Sequence, residues 1–137
     1  MHSAARPALP LDVPAAFDWR NTLGQNWLTG VKNQESCGSC WAFAAVGAVE
    51  AAHNIGYNNA SLDLNLSEEY LVAGCADAGT CCGGYKSQAL AFIRDFGIPD
   101  EQCMPYADGA CWCDGDVCST EDCTYHSDGA CSNRTCA

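Results

Sequence analysis

Two cysteines stand directly before a long run of small apolar residues. This segment reads Gln34-Glu35-Ser36-Cys37-Gly38-Ser39-Cys40-Trp41-Ala42-Phe43. The run predicts a helix from Ser39 to about Asn54, apolar nearly all the way round and therefore buried on most sides. Cys40 then lies in the first turn, where unpaired N–H groups and the positive end of the helix dipole favour a thiolate. A thiolate there can act as a nucleophile, and the side-chain amide of Gln34 can donate to an oxyanion.

Cys37 and Cys40 are also open to interpretation as a Cys-x-x-Cys redox pair or half of a zinc site. A zinc site needs a second ligand pair at matching spacing, and the sequence contains no clear one. Gln34 and the apolar continuation favour the nucleophile. The cysteines after residue 110 raise the same question, and the absence of paired Cys-x-x-Cys ligands favours a disulfide loop there over a metal-binding module. We therefore expect neither a metal nor a cofactor.

The composition indicates an exported protein. Twelve cysteines among 137 residues imply disulfides and an oxidising compartment, either secreted or lysosome/vacuole-like. The net charge of −11 argues against nucleic-acid partners and against an anionic membrane surface. No run of about 18 apolar residues is present, so no membrane span is expected. The first ten residues lack the apolar segment of a signal peptide, which leads us to expect that an upstream part is missing.

Two further helices are predicted. Ser67 is a candidate N-cap, with Glu68 and Glu69 in the first turn, where negative charge suits the dipole. Apolar residues at helical spacing predict another helix over Tyr85–Phe96, ended by Gly97. Glu50 is the one charge inside the first helix, and it is either a rim residue facing water or a buried carboxylate with a partner.

The signature Cys37-Gly38-Ser39-Cys40-Trp41 matches every position of the nucleophile motif of the papain-like cysteine proteases. The chain resembles that family from about Val13 to Cys111. The resemblance implies the α+β papain-like fold, of which this chain is mainly the α-helical left lobe plus a disulfide-rich irregular tail. Residues 1–12 are expected to be a leader or prosegment remnant, 13–111 the helical lobe, and 112–137 a cysteine-rich segment leading into a missing second lobe.

The resemblance also implies roles for individual residues. Cys40 is expected to be the nucleophile, and Gln34 and the backbone N–H of Cys40 to form the oxyanion hole. The substrate-binding residues are expected to be Gly83 and Gly84, whose backbone pairs with an extended peptide, together with Tyr85, Lys86 and Trp41. The implied disulfides are Cys37–Cys81 and Cys75–Cys111, with Cys82–Cys103 as a plausible third.

The residues that would complete the chemistry are not found. A thiol nucleophile needs a base, which the family takes from a His and an Asn in a second lobe rich in β-strands. His2, His53 and His126 do not stand in the family's contexts. We therefore expect a cysteine endopeptidase that works through a thioester, represented by a truncated part that is inactive alone. Its partners would be a peptide substrate and the missing C-terminal lobe; the alternative is a non-catalytic papain-like binding protein.

Overall fold

The computed structural model describes residues 14–73, 76–107, 109 and 111, and the backbone of residues 113–114 and 117–118. The expected leader, His2, Cys75, His126 and most of the cysteine-rich segment lie outside the described residues. The elements are a 3-10 turn (Trp19–Asn21), helices α1 (Cys40–Gly56), α2 (Glu69–Val72) and α3 (Lys86–Phe96), and strands β1 (Gly79–Thr80), β2 (Gly83–Gly84), β3 (Cys113–Asp114) and β4 (Val117–Cys118). Strands β1 and β2 pair antiparallel, as do β3 and β4. None of the described helices is long and apolar enough to cross a membrane.

Helix α1 begins at Cys40, one residue after the predicted start, and forms the centre of the core. Its buried positions are Trp41, Ala42, Ala45, Val46, Glu50 and Asn54. These positions recur every three to four residues and therefore form one face, which packs against α3 and β2. Cys40, Ala44 and Ala48 are exposed on the other side. The prediction of burial on most sides was wrong, because the described part of the chain covers only one face of the helix.

Helix α3 matches its predicted range to within one residue. Tyr85 precedes it in an extended conformation, and Gly97 ends it at φ 82°, with its N–H donating to the carbonyl of Ile93 at 2.8 Å. Only Ala89 and Ile93 of the predicted apolar face are buried. Tyr85 is 69% exposed, so its ring is free to contact a ligand.

Ser67 caps α2 as predicted, because its Oγ accepts a hydrogen bond from the N–H of Tyr70 at 3.1 Å. The same hydroxyl donates to the carbonyl of Met104 at 2.6 Å. Glu69 is buried, and its Oε2 accepts from the N–H of Ala107 at 3.0 Å. This first turn is therefore held by specific partners from the segment 104–107, in addition to any dipole effect.

Glu50, Glu68 and Lys32 form a buried ionic cluster between α1 and α2. Lys32 Nζ lies 3.2 Å from Glu50 Oε1 and 2.8 Å from Glu68 Oε1. Glu50 is 1% exposed and also accepts hydrogen bonds from the hydroxyl of Thr29 and from the N–H of Leu66. Burial raises the pKa of Glu68, although Lys32 acts in the opposite direction. The cluster decides the question left open for Glu50, which is a buried, paired carboxylate.

Candidate active site

The thiol of Cys40 lies at the first residue of α1 and is exposed, and it is the free cysteine among the described residues. The residue before it, Ser39, is the N-cap but makes no side-chain capping bond. The first N–H groups of an α-helix have no partner within the helix. The backbone N–H of Cys40 therefore points out of the same helix end as its thiol.

Gln34 is held against the loop that precedes Cys40. Its side-chain Nε2 donates to the carbonyl of Cys37 at 2.8 Å. A primary amide carries two N–H hydrogens, so one hydrogen remains for another acceptor. The backbone carbonyl of Gln34 accepts a hydrogen bond from the hydroxyl of Tyr106 at 3.0 Å. Its role as an oxyanion donor stays a prediction.

The Cys37–Cys81 disulfide, implied by the resemblance, is present and ties the nucleophile loop to the turn between β1 and β2. Beside it, the N–H of Gly38 donates to the carbonyl of Cys81 at 2.8 Å. A Cβ at Gly38 would lie 2.4 Å from that carbonyl oxygen, so only glycine allows this approach. Cys82, Cys103 and Cys111 are each disulfide-bonded. The pairings Cys75–Cys111 and Cys82–Cys103 stay predictions.

Trp41 is buried beneath the glycine pair. It is 5% exposed, and its Nε1 donates to the carbonyl of Thr80 at 3.2 Å. A Cβ at Gly84 would lie 2.5 Å from the Trp41 ring. Gly83 and Gly84 pair with Thr80 and Gly79 along one edge of β2. Among the described residues, no strand pairs with the other edge of β2, which leaves it available for an extended peptide.

A groove of about 500 Å³ joins the thiol to the predicted specificity residues. Its lining residues are Cys40, Trp41, Ala44, Gly84, Tyr85, Lys86 and Ser87. A second depression of about 520 Å³ shares Gly84 and Tyr85 with it and continues along Gly83. The structure thus brings Cys40, Gly84, Tyr85 and Lys86 together, and places Gln34 beside the loop rather than in the groove lining.

No histidine accompanies Cys40 within the described residues. His53 lies exposed in the last turn of α1, against the ring of Tyr57. Thirteen residues of α-helix separate it from Cys40, which corresponds to roughly 20 Å at about 1.5 Å per residue. His53 therefore cannot take the proton of the Cys40 thiol.

Tyr106 belongs to this region, although no motif in the sequence predicts it. Its hydroxyl contacts Ser39 and Gln34, which are 67 and 72 residues away along the chain. No local pattern connects residues at such a separation. The sequence around Tyr106 shows only a change in composition, because six of the twelve cysteines lie between residues 107 and 137.

The comparisons with known proteins give one consistent result. A profile described as "Papain family cysteine protease" matches residues 13–135. Cathepsin Z of Onchocerca volvulus is 39% identical over 73% of this chain and 34% of its own length. Human cathepsin L2 is 33% identical over 95% of this chain and 35% of its own length. The chain thus spans about a third of the length of these curated relatives.

Two solved structures are similar to this chain. The digestive procathepsin L2 proteinase from the larval midgut of Tenebrio molitor has a TM-score of 0.64 and 39% identity, over 72% of this chain and 30% of that one. The bromelain protease from Ananas comosus, solved in complex with the E64 inhibitor, has a TM-score of 0.58 and 38% identity, over 69% and 41%. The papain-like architecture implied by the sequence is confirmed, and this chain corresponds to its mainly helical part.

Proposed function

We propose a function that starts from the fact that this chain belongs to the papain family of cysteine proteases. In this proposal, the chain supplies the nucleophile and one wall of a cleft in which peptide bonds are hydrolysed. One observation carries the proposal. The free, exposed thiol of Cys40 opens into a groove lined by Gly84, Tyr85 and Lys86, next to the edge of β2 that no strand of the described residues pairs with. A nucleophile, a surface for a peptide backbone and side-chain pockets therefore adjoin one another.

In the proposed reaction, the Sγ of Cys40 attacks the carbonyl carbon of the scissile peptide bond. A C–S bond forms and the carbonyl π electrons move to oxygen, which is stabilised by the Gln34 amide and the Cys40 N–H. When the electrons return, the C–N bond breaks and the departing amine takes the proton that the base received from the thiol. Water then hydrolyses the thioester, releasing the acid and regenerating the thiol.

The base is proposed to come from a second lobe that docks along the exposed side of α1. That side presents the small residues Ala44 and Ala48 next to Cys40, and it borders a groove of about 410 Å³. Small side chains permit close approach of another element. In this arrangement, residues 13–111 form the first lobe, 112–137 lead towards the second, and 1–12 are a leader or prosegment remnant.

The substrate is proposed to be an extended peptide whose backbone pairs with Gly83 and Gly84. Its side chains would contact Tyr85 and Lys86 in the groove. The five described half-cystines support an oxidising compartment, either secreted or lysosome/vacuole-like.

Labelling kinetics on this chain test the proposal without the second lobe. A peptidyl epoxide should modify Cys40 once per chain by intact-mass analysis, and a Cys40→Ser variant should remain unmodified. Tyr85→Ala should slow the peptidyl reagent about tenfold through lost groove contacts, while iodoacetamide, which needs no groove, reacts at an unchanged rate. Tyr57→Ala, an exposed tyrosine at the end of α1, is the matched control. Equal peptidyl rates in the wild type and in Tyr85→Ala would contradict the assignment of the groove.

A further inference from the structure

A single hydroxyl group connects the two segments that carry the proposed oxyanion donors. Tyr106 Oη lies 3.0 Å from the carbonyl oxygen of Gln34 and 2.8 Å from the Oγ of Ser39. A carbonyl can only accept, so the tyrosine hydrogen goes to Gln34. A hydroxyl has one hydrogen, so Ser39 must donate to Tyr106. The chain of hydrogen bonds therefore runs from Ser39 through Tyr106 to Gln34.

The serine hydroxyl is committed to this contact. Ser39 is completely buried and makes no capping bond to α1, although it occupies the N-cap position. Its hydroxyl therefore serves Tyr106 instead of stabilising the helix end. A buried hydroxyl whose single hydrogen is committed to one acceptor holds its neighbours in one arrangement.

Two further contacts, one from α1 and one from its own segment, fix Tyr106 in place. Its ring packs edge to face against Phe43, with centroids 5.1 Å apart, and its N–H donates to Glu101 Oε1 at 2.7 Å. The hydroxyl therefore contacts the loop before Cys40 while the rest of Tyr106 is held by residues outside that loop. Tyr106 thus links the segment around Glu101 to the loop before Cys40.

We propose that Tyr106 is a positioning residue that sets the distance between the two oxyanion donors. One donor is the side-chain amide of Gln34, whose backbone Tyr106 holds. The other is the N–H of Cys40, which is part of the peptide bond between Ser39 and Cys40. This inference rests on the proposed function and adds a residue that touches neither substrate nor thiol. Donor geometry matters because misplacement by a fraction of an ångström weakens stabilisation of a developing charge.

Three probes separate oxyanion positioning from general support of the loop. A peptide aldehyde adds reversibly to Cys40: the C–S bond forms, the carbonyl π bond breaks, and the thiol proton ends on the former carbonyl oxygen, which lies at the oxyanion site. With iodoacetamide a C–S bond forms, the C–I bond breaks, and iodide and the thiol proton leave to solvent, so no oxyanion develops. Because the aldehyde also occupies the peptide groove, a loss that iodoacetamide does not share reports on the oxyanion donors when the rate of the peptidyl epoxide, which occupies the same groove, is unchanged.

In the full 137-residue chain, Tyr106→Phe keeps the ring against Phe43 and removes the hydroxyl. We expect the dissociation constant of the aldehyde to rise about tenfold while the iodoacetamide and peptidyl epoxide rates stay within about twofold. Tyr70→Phe, a partly buried tyrosine in α2, is the matched control and should change none of these values. Unchanged aldehyde binding in Tyr106→Phe, or an equal loss with iodoacetamide or with the epoxide, would overturn the proposal.

A double-mutant cycle tests whether Tyr106 acts through Gln34. In a Gln34→Ala background, Tyr106→Phe should weaken the aldehyde by less than about twofold; a full tenfold loss there would overturn the proposal. If Tyr106→Phe fails to fold by circular dichroism, Ser39→Ala provides the same comparison, with an expected loss for the aldehyde alone. A wild-type chain whose Cys40 binds no aldehyde would instead refute the proposed function, so the two failures are distinguishable.

Discussion

Replacing Lys32 by Met should expose how much the buried ionic cluster of Glu50, Glu68 and Lys32 depends on its single cation. Lys32 Nζ donates to Glu50, to both oxygens of Glu68 and to the carbonyl of Leu66. Methionine has a similar apolar stem and no charge. The variant would therefore keep most of the packing and leave two buried carboxylates without their shared cation.

The size of the expected loss in unfolding free energy follows from the burial of the two carboxylates. The side chains of Glu50 and Glu68 are 1% and 3% exposed, whereas Lys32 is 24% exposed. Removing one partner from a buried ion pair costs about 3–5 kcal/mol, because the remaining charge is left uncompensated. Lys32 reaches solvent, which moves the expected loss towards about 3 kcal/mol. That is a large share of the roughly 5–15 kcal/mol that stabilises a typical protein.

The loss should shrink on acidification. Burial raises the pKa of Glu68 even with Lys32 beside it, and without Lys32 that pKa rises further. A carboxyl whose pKa is higher in the folded than in the unfolded state favours folding when protonated. The deficit of Lys32→Met should therefore be largest near pH 7 and decline as the pH falls towards about 4.3, the ordinary value for glutamate.

Urea unfolding under non-reducing conditions, followed by tryptophan fluorescence at pH 7 and pH 5, measures both effects. Lys86→Met is the matched control, because it makes the same change at an exposed position and should alter stability by less than about 0.5 kcal/mol. A loss below about 1 kcal/mol at pH 7, or a loss that grows on acidification, would refute the reasoning.

Two further perturbations test the disulfide and the glycine packing that surround the Cys40 thiol. Replacing Cys37 and Cys81 by Ser opens a loop with a sequence separation of 44 and should cost about 4 kcal/mol by the chain-entropy relation; an unchanged urea midpoint would contradict this. Gly84→Ala places a methyl group 2.5 Å from the Trp41 ring and should destabilise by about 1–3 kcal/mol, whereas Gly47→Ala has open space and should be neutral or stabilising. Equal thermal midpoints for the two alanine variants would argue against the observed packing.

Sequence reasoning succeeded where a structure is encoded within a few neighbouring residues. The start of α1 at Cys40, the cap at Ser67 and the end of α3 at Gly97 follow from apolar spacing and local hydrogen bonding. The family motif added the Cys37–Cys81 disulfide, which no local rule could assign.

Sequence reasoning failed where tertiary packing decides which face of an element is covered. The composition of α1 predicted burial on most sides, but only one face is covered within the described residues. Trp41 lies mostly beneath β2 although it also lines the groove, and its expected contact with substrate stays a prediction. Hydrophobicity shows that a side chain can be buried, but it does not show which neighbouring segment will cover it.

By itself the sequence determined the position of the thiol at a helix start and the glycine pair that forms β2. Only the tertiary structure decided the partners of the buried polar groups. Lys32 meets Glu68 across 36 residues, and Tyr106 meets Gln34 across 72. Helix caps and turns are satisfied by atoms a few residues away, so their signals are local. A buried charge or hydroxyl takes its partner from whichever distant segment the packing brings within about 3 Å, and that choice is made by the fold as a whole.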